Sequence, residues 1–267
     1  MNNNKITKKF TPIIIGGFYR SGTSLVRRLL DSHSRIHCGP EVKFFKDFYG
    51  DYLQDDLHHV RLFRTLSTLG LGEEEMLSIF GRAFVESHEL AARKAGKGRW
   101  ADKNPENVLY LKQWAQLLPG GFVFLQIVRN PFDALASLKE IGFHKAVPAA
   151  FVDKVHLLKN FLDEGTLHTE QHPETSLTLC YEDIVRKPEA TLESLFSWLG
   201  ETFEPEVLER FSLPERGEGI EDPKVKMTQN VHDHSIGRWR QDLTPEEINA
   251  IRSILGPTGT GFSAKDS

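Results

Sequence analysis

Cysteine is scarce in this 267-residue chain, which carries only Cys38 and Cys180. Two cysteines make no disulfide framework, so a buried core must hold the fold. No run of about 18 apolar residues occurs, which excludes a membrane-spanning helix. The opening Met1-Asn2-Asn3-Asn4-Lys5-Ile6-Thr7-Lys8-Lys9 is polar and basic, without the apolar stretch of a signal peptide. Net charge is only −4, so the broad basic surface of a general nucleic-acid binder is excluded and any cationic site must be local. Internal repeats and low-complexity segments are absent too. What remains is one large α/β domain with a sizeable core. Its expected limits are residues 11–255, after a disordered polar N-terminus (1–10) and before a frayed Gly/Ser/Thr-rich tail (256–267).

The most informative stretch is Ile13-Ile14-Ile15-Gly16-Gly17-Phe18-Tyr19-Arg20-Ser21-Gly22-Thr23-Ser24-Leu25. A short apolar strand enters a Gly/Ser/Thr turn and leaves as an apolar-periodic helix (Leu25, Val26, Leu29, Leu30). Backbone N–H groups at such a helix start form a cradle for an anion. From Gly17 the spacing is nearly that of a nucleotide triphosphatase loop, G-x-x-x-x-G-K-[ST]. Thr23 stands at the lysine position, however, and the cation is Arg20, inside the loop.

Strand-length apolar runs alternate with helical patterns along the rest of the chain. Arg99–Ala101 reads as a weak strand, Phe122–Val128 as the clearest one, and Ser176–Tyr181 as another. Helices are expected over Val108–Leu118, Pro131–Glu140, Ala149–Leu167, Glu189–Leu199 and Pro245–Leu255, the last capped by Thr244 with Glu247. Residues 58–95 read as a helical insert broken at Gly70-Leu71-Gly72. The alternation predicts a central parallel sheet with helices on both faces, whose ligand site lies at the carboxyl ends of the strands. Arg20, Arg129 and Tyr181 each fall at or just after a strand end and so can converge.

Arg20-Ser21-Gly22-Thr23-Ser24-Leu25, continued through Asp31-Ser32-His33, Cys38-Gly39 and Glu41, resembles the 5′-phosphosulfate loop of sulfotransferases. The resemblance is nearest to the tyrosylprotein-sulfotransferase branch and its bacterial relatives, and it recurs at four later points across most of the chain. It implies a P-loop NTPase-like three-layer sandwich. It also implies transfer of a sulfuryl group from 3′-phosphoadenosine 5′-phosphosulfate (PAPS) to a hydroxyl, leaving adenosine 3′,5′-bisphosphate and needing no metal. The acceptor would be a saccharide, a peptide tyrosine or a small metabolite.

The residues carry over one by one. Arg20, Ser21, Gly22, Thr23 and Ser24 would surround the 5′-phosphosulfate, with Arg20 and Lys103 stabilising charge on the transferring and leaving groups. Val128-Arg129-Asn130-Pro131-Phe132-Asp133-Ala134-Leu135-Ala136-Ser137 resembles the 3′-phosphate segment, Arg129 offering a bidentate fork and Ser137 a hydroxyl. An alternative pairs Arg129 with Asp133 as a helix-start ion pair. Tyr181 matches a nucleotide-contacting tyrosine, and Lys226 and Arg238 fall in a late basic stretch that resembles a nucleotide-closing loop. Cytosolic sulfotransferases place a catalytic histidine shortly after the Lys103-type segment, where this chain has Asn104 and no nearby histidine. The tyrosylprotein branch places a glutamate after Cys-Gly, here Glu41, which would act as general base. The aromatic pair Phe44-Phe45 would exclude water and raise its pKa toward neutrality. The branch's Glu-Glu-Thr-Arg has become Pro40-Glu41-Val42-Lys43.

Secreted-type relatives pair the cysteine equivalent to Cys38 with one before the Lys103 segment. Ala101 stands there, which implies a reducing, cytoplasmic location. His232 and His234 form an H-x-H pair without a third ligand of suitable spacing. The aromatics Phe44, Phe45, Phe48, Tyr49 and Tyr52 suit core packing, or in part an acceptor pocket. A P-loop kinase and a non-catalytic nucleotide-binding protein are the competing readings. The first lacks its lysine at Thr23 and has Arg129 where a strand-end aspartate belongs; the second leaves Glu41 without a task.

Overall fold

The computed structural model describes residues 11–50, 64–140, 146–212 and 231–259. Lys226, Tyr52, His58 and His59 lie outside them. Five strands form one sheet: β1 (Ile13–Gly17), β2 (Ile36–Cys38), β3 (Arg99–Lys103), β4 (Val123–Val128) and β5 (Ser176–Cys180). Their order is β2-β3-β1-β4-β5 and every pairing is parallel. Ile15 pairs with Lys103 on one side and Leu125 on the other, so the central strand sets the register of both neighbours.

The three isoleucines of β1 are 0 % exposed because both sheet faces are covered. Ile14 and Phe124 point into one apolar cluster with Phe84, Trp114 and Phe161. Ile13, Ile15, Val123 and Leu125 point into the other with Leu29, Leu195 and Phe196. This period-2 division of continuous apolar strands makes the three-layer sandwich. The first face carries α3 (Glu73–Lys94), α4 (Leu111–Leu117), α5 (Pro131–Lys139), α6 (Phe151–Gln171) and α11 (Pro245–Gly259). The second carries α1 (Thr23–Asp31), α7 (Tyr181–Arg186), α8 (Pro188–Leu199) and α9 (Val207–Arg210). Two short helices, α2 (Phe44–Tyr49) and α10 (Trp239–Asp242), join the first cluster through Phe45, Phe48 and Trp239.

Several details differ from the sequence expectations. Strand β2 has only three residues, Ile-His-Cys, too few for a periodicity signal. The expected helix Val108–Leu118 divides into a 3₁₀ turn, Pro105–Leu109, and α4, with Tyr110 at non-helical φ −119, ψ 24 between them. Tyr181 opens α7 instead of closing β5. The last helix breaks at Gly256 (φ 64, ψ −172), near its expected end. Its capping box is present: Glu247 N donates to Thr244 Oγ1 at 3.3 Å, and Thr244 N to Glu247 Oε2 at 2.9 Å. Phe45 and Phe48 are buried in the core, Phe45 between Tyr110 and Trp114.

Candidate active site

All five strands deliver a candidate residue to the same sheet edge. Arg20 follows β1, Glu41 follows β2, Lys103 ends β3, Arg129 follows β4 and Tyr181 follows β5. Parallel pairing alone accounts for this, because every strand exits on the same side. The central strand is also where successive crossovers change direction, which opens a crevice there.

The loop after β1 requires its glycines. A Cβ on Gly17 would sit 2.2 Å from the Ile127 carbonyl oxygen of the neighbouring strand. Gly22 has φ 91, and a Cβ there would meet Tyr181 Cδ2 at 2.5 Å. Arg20 adopts φ 65, a left-handed conformation that costs a non-glycine residue about 1–2 kcal/mol. Gly22 is the N-cap of α1 and no side chain caps that helix, so its first N–H groups stay aimed into the loop. Ser21, Thr23 and Ser24 are buried around this turn. Arg20 Nε donates to Ser137 Oγ at 3.1 Å, bringing the two segments expected at opposite ends of one ligand into contact.

Arg129 is 6 % exposed and lies over the Tyr181 ring at 4.6 Å. Its Nη1 donates to the Arg20 carbonyl at 2.9 Å and its Nη2 to the Ser235 carbonyl at 2.6 Å. Its Nε is buried and has no hydrogen-bond partner among the described residues. Burial pulls the Arg129 pKa below its ordinary value, against the opposing pull of Tyr181, Asp133 and Glu182. An anion there would relieve both the desolvated charge and the idle donor. Burial pushes the Tyr181 hydroxyl up, with Arg129 and a hydrogen bond with Ser235 working the other way. Asp133 does not pair with Arg129 by a hydrogen bond; its oxygens take the N–H groups of Gly237 and Trp239.

Lys103 is 1 % exposed and stands between the two halves of the site. Its Nζ donates to Ser24 Oγ at 3.0 Å and to the Glu41 carboxylate. Glu41 is placed by the short β2: Arg27 Nη1 donates to the Cys38 carbonyl at 3.0 Å, and Cys38 N donates to Asp31 Oδ1 at 2.8 Å. Cys38 is a buried free thiol whose pKa burial raises. Beyond Glu41, Tyr19 Oη donates to Glu106 at 2.5 Å, and Lys43 Nζ donates to the same carboxylate at 3.0 Å. Burial works against the Glu106 charge, yet Lys43, Tyr19 and Lys46 outweigh it and hold the carboxyl below its usual pKa. A cavity next along the chain is lined by Val42, Lys43, Phe44, Phe84, Asn104 and Glu106 among others.

Arg238 is not brought to the loop: its guanidinium pairs with Asp242 at 2.6 Å and Glu140 at 3.0 Å. Glu140 closes α5, roughly 13 Å along the helix from the end that carries Arg129. His232 and His234 stack at 4.6 Å, and among the described residues no three His, Cys, Asp or Glu side chains are grouped to hold a metal. Glu106 escaped the sequence reading, and Asp133 entered it only as a possible ion-pair partner of Arg129. The signal for Asp133 was its place in the first turn of α5; Glu106 gave none, since nothing local shows that an acid after Pro105 is buried.

The geometry defines an α/β protein with an anion loop at a helix start, a second buried guanidinium beside it, and a carboxylate–lysine pair between them. The family model described as the sulfotransferase family matches residues 12–205, and the chain belongs to that family of transferases. It is similar to the nodulation protein NoeE of Sinorhizobium fredii, 26 % identical over 90 % of this chain and 62 % of that protein. It is also similar to a putative protein-tyrosine sulfotransferase of Caenorhabditis briggsae, 24 % identical over 91 % of this chain and 85 % of that one. The chain therefore spans less than two thirds of the Sinorhizobium protein. Among solved structures, the sulfotransferase domain of the Synechococcus PCC 7002 olefin synthase superposes with TM-score 0.63 at 19 % identity, over 91 % of this chain and 93 % of that one. A mouse sulfotransferase complexed with PAP gives TM-score 0.53 at 12 % identity, over 100 % and 94 %. These two likenesses show the fold. Among the described residues no helix is long and apolar enough to cross a membrane.

Proposed function

We propose that this chain moves a sulfuryl group from PAPS to an acceptor hydroxyl, with Glu41 as general base. The observation that carries this reading is the buried Lys103, whose ammonium touches Ser24 of the anion loop and the Glu41 carboxylate together. One group thereby adjoins both the place for the donor's leaving phosphate and the place for the acceptor.

The residues present fit the donor. The uncapped start of α1, with Thr23 and Ser24, suits a 5′-phosphosulfate, and Arg20 adds the cation. Arg129, with its idle Nε, suits the 3′-phosphate, and Ser137 adds a hydroxyl. Tyr181 supplies a ring face beside Arg129. PAPS brings the activated sulfate; the protein orients it and handles charge. Glu41 takes the acceptor proton as the new oxygen–sulfur bond forms, and Lys103 neutralises the phosphate oxygen released when the old bond breaks. A sulfuryl group carries less charge than a phosphoryl group, so fixed cations suffice where kinases use magnesium. Lys226, outside the described residues, is a further candidate for the nucleotide phosphates, and Arg238 would have to leave Asp242 and Glu140 to join it. The names of the two relatives make a protein tyrosine and the acceptor of a nodulation enzyme the first hydroxyls to test, beside saccharides and small metabolites. A cytoplasmic location goes with the free Cys38.

Labelled PAPS offered to phenols, tyrosine peptides and saccharides tests the reading, together with calorimetry of adenosine 3′,5′-bisphosphate in EDTA. Sulfated product and micromolar nucleotide binding are expected. Binding that does not distinguish this nucleotide from AMP, or that disappears with EDTA, overturns the reading.

A further inference from the structure

Three residues of the Lys103 segment grip three consecutive residues of the loop that carries Glu41. Lys103 Nζ donates to the Glu41 carboxylate, Asn104 Nδ2 donates to the Val42 carbonyl at 3.0 Å, and Glu106 accepts Lys43 Nζ at 3.0 and 3.3 Å. The two lysines are not equivalent. Lys103 also reaches Ser24 on the donor side. Lys43 has two carboxylates within reach, Glu106 at 3.0 Å and Glu41 Oε2 at 3.7 Å, and it takes Glu106.

Glu106 wins for structural reasons. It is 4 % exposed on a 3₁₀ turn opened by Pro105. Tyr19 Oη donates to it at 2.5 Å, and Lys46 Nζ lies 3.6 Å away. Its place is therefore fixed before Lys43 arrives. The groups facing Glu41 are Lys103 from β3, Lys43 from its own loop and, by electrostatic contact, Tyr19 from the loop after β1. Without Glu106, two ammonium groups would compete for one base. A carboxylate hydrogen-bonded on both oxygens by ammonium groups is a weaker base, because each ammonium stabilises its charged form and takes up one of its approach directions.

We infer that Glu106 is a positioning residue for the reaction: by taking the hydrogen bonds of Lys43 it leaves that ammonium at 3.7 Å from Glu41 Oε2 instead of hydrogen-bonded to it, so that Oε2 stays available to the acceptor hydroxyl. This rests on the assignment of Glu41 as general base. The arrangement also gives Val42, 43 % exposed, a fixed place beside the acceptor approach through its carbonyl bond to Asn104.

Glu106→Gln separates this role from mere support. In a crystal structure of E106Q, Lys43 Nζ should move to within about 3 Å of Glu41 Oε2. A Lys43 that stays in place overturns the inference, and this readout needs no acceptor. In turnover, kcat should fall at least tenfold while affinity for adenosine 3′,5′-bisphosphate stays within threefold. Adding Lys43→Met should then restore most of the lost kcat, because the competing cation is gone. A purely structural Glu106 predicts the reverse, with the double variant as slow as E106Q or slower, and that result overturns the inference. Should E106Q not fold, Tyr19→Phe loosens the same carboxylate and should show a smaller fall in kcat, again relieved by Lys43→Met. Wild-type protein that binds no bisphosphate nucleotide would count against the proposed function, whereas a stationary Lys43 counts against Glu106 alone.

Discussion

Asp133 accepts the Gly237 N–H at 2.8 Å with one carboxylate oxygen and the Trp239 N–H at 3.1 Å with the other. Asp133 is 0 % exposed, in the first turn of α5. One turn earlier, Arg129 donates to the Ser235 carbonyl. Trp239 packs on Phe132 at 5.1 Å between ring centroids. The segment 235–239 is thus fastened to the stretch that carries Arg129 and Ser137. Replacing Asp133 by Ala strands two N–H groups, each at a cost of about 1–3 kcal/mol. Asp133→Ala should accelerate hydrogen exchange at Gly237 and Trp239 at least tenfold and weaken adenosine 3′,5′-bisphosphate binding by about tenfold. Asp133→Asn keeps one acceptor oxygen and should lose less. Unchanged exchange at both amides would show that the carboxylate does not hold the segment.

Gly22 makes a sharper test of the anion loop. Its φ of 91 disfavours any side chain, and a Cβ would press on the Tyr181 ring that lies under Arg129. Gly22→Ala should therefore lower thermal stability by several degrees, at roughly 2–4 °C per kcal/mol for a chain of this size. It should also weaken nucleotide binding at least tenfold. Truncating Tyr181 in the same chain relieves the clash but not the backbone strain, so the double variant should not regain wild-type affinity. Calorimetry on both variants decides the matter.

The strands that carry Arg20 and Arg129 were legible because both faces of the sheet are buried. That burial turns β1 and β4 into continuous apolar runs. Strand β2 was not legible: His37 interrupts it and it ends after three residues. Glu41 was nonetheless singled out, through the resemblance of its Cys-Gly flank. The anchors Asp133 and Glu106 could not be found that way, because their partners lie 104 and 63 residues away respectively. Only the folded sheet brings those backbone N–H groups and that lysine to them. Arg238 shows the converse. Its sequence position suggested a phosphate ligand, while Asp242, one helical turn ahead, and Glu140 occupy its guanidinium.

Glu41 and Lys103 should separate cleanly in kinetics. Glu41→Gln keeps shape and hydrogen bonding but removes the proposed base, so kcat should fall by about 10²–10⁴ with little change in nucleotide affinity. Lys103→Met removes the charge partner of Glu41 that also reaches Ser24, and should lower both kcat and nucleotide affinity. Equal losses of nucleotide affinity in the two variants would contradict this division of labour. Their measurement needs only calorimetry beside the sulfation assay.

His168 gives the fold a pH dependence of its own. It lies on α6 against Phe124, at 5.4 Å between ring centroids, and beside His172 at 4.5 Å. Burial, with a smaller push from His172, lowers its pKa from 6.5 to about 4. The sign follows from proton counting. Above 6.5 neither the folded nor the unfolded chain protonates this ring, so it contributes nothing. Between 6.5 and 4 the unfolded chain binds the proton and the folded chain does not, so stability falls as the pH is lowered. Below that window both states are protonated and the loss is complete. Glu106 adds a separate decline at lower pH. Its folded pKa is below the ordinary 4.5, so its stabilisation is present above that value and disappears as pH drops through the folded value. Thermal melts of wild type should therefore fall in two stages. His168→Gln should flatten the first stage, between 6.5 and 4, and leave the second. Parallel curves for the two proteins across the first window would exclude His168 as its source.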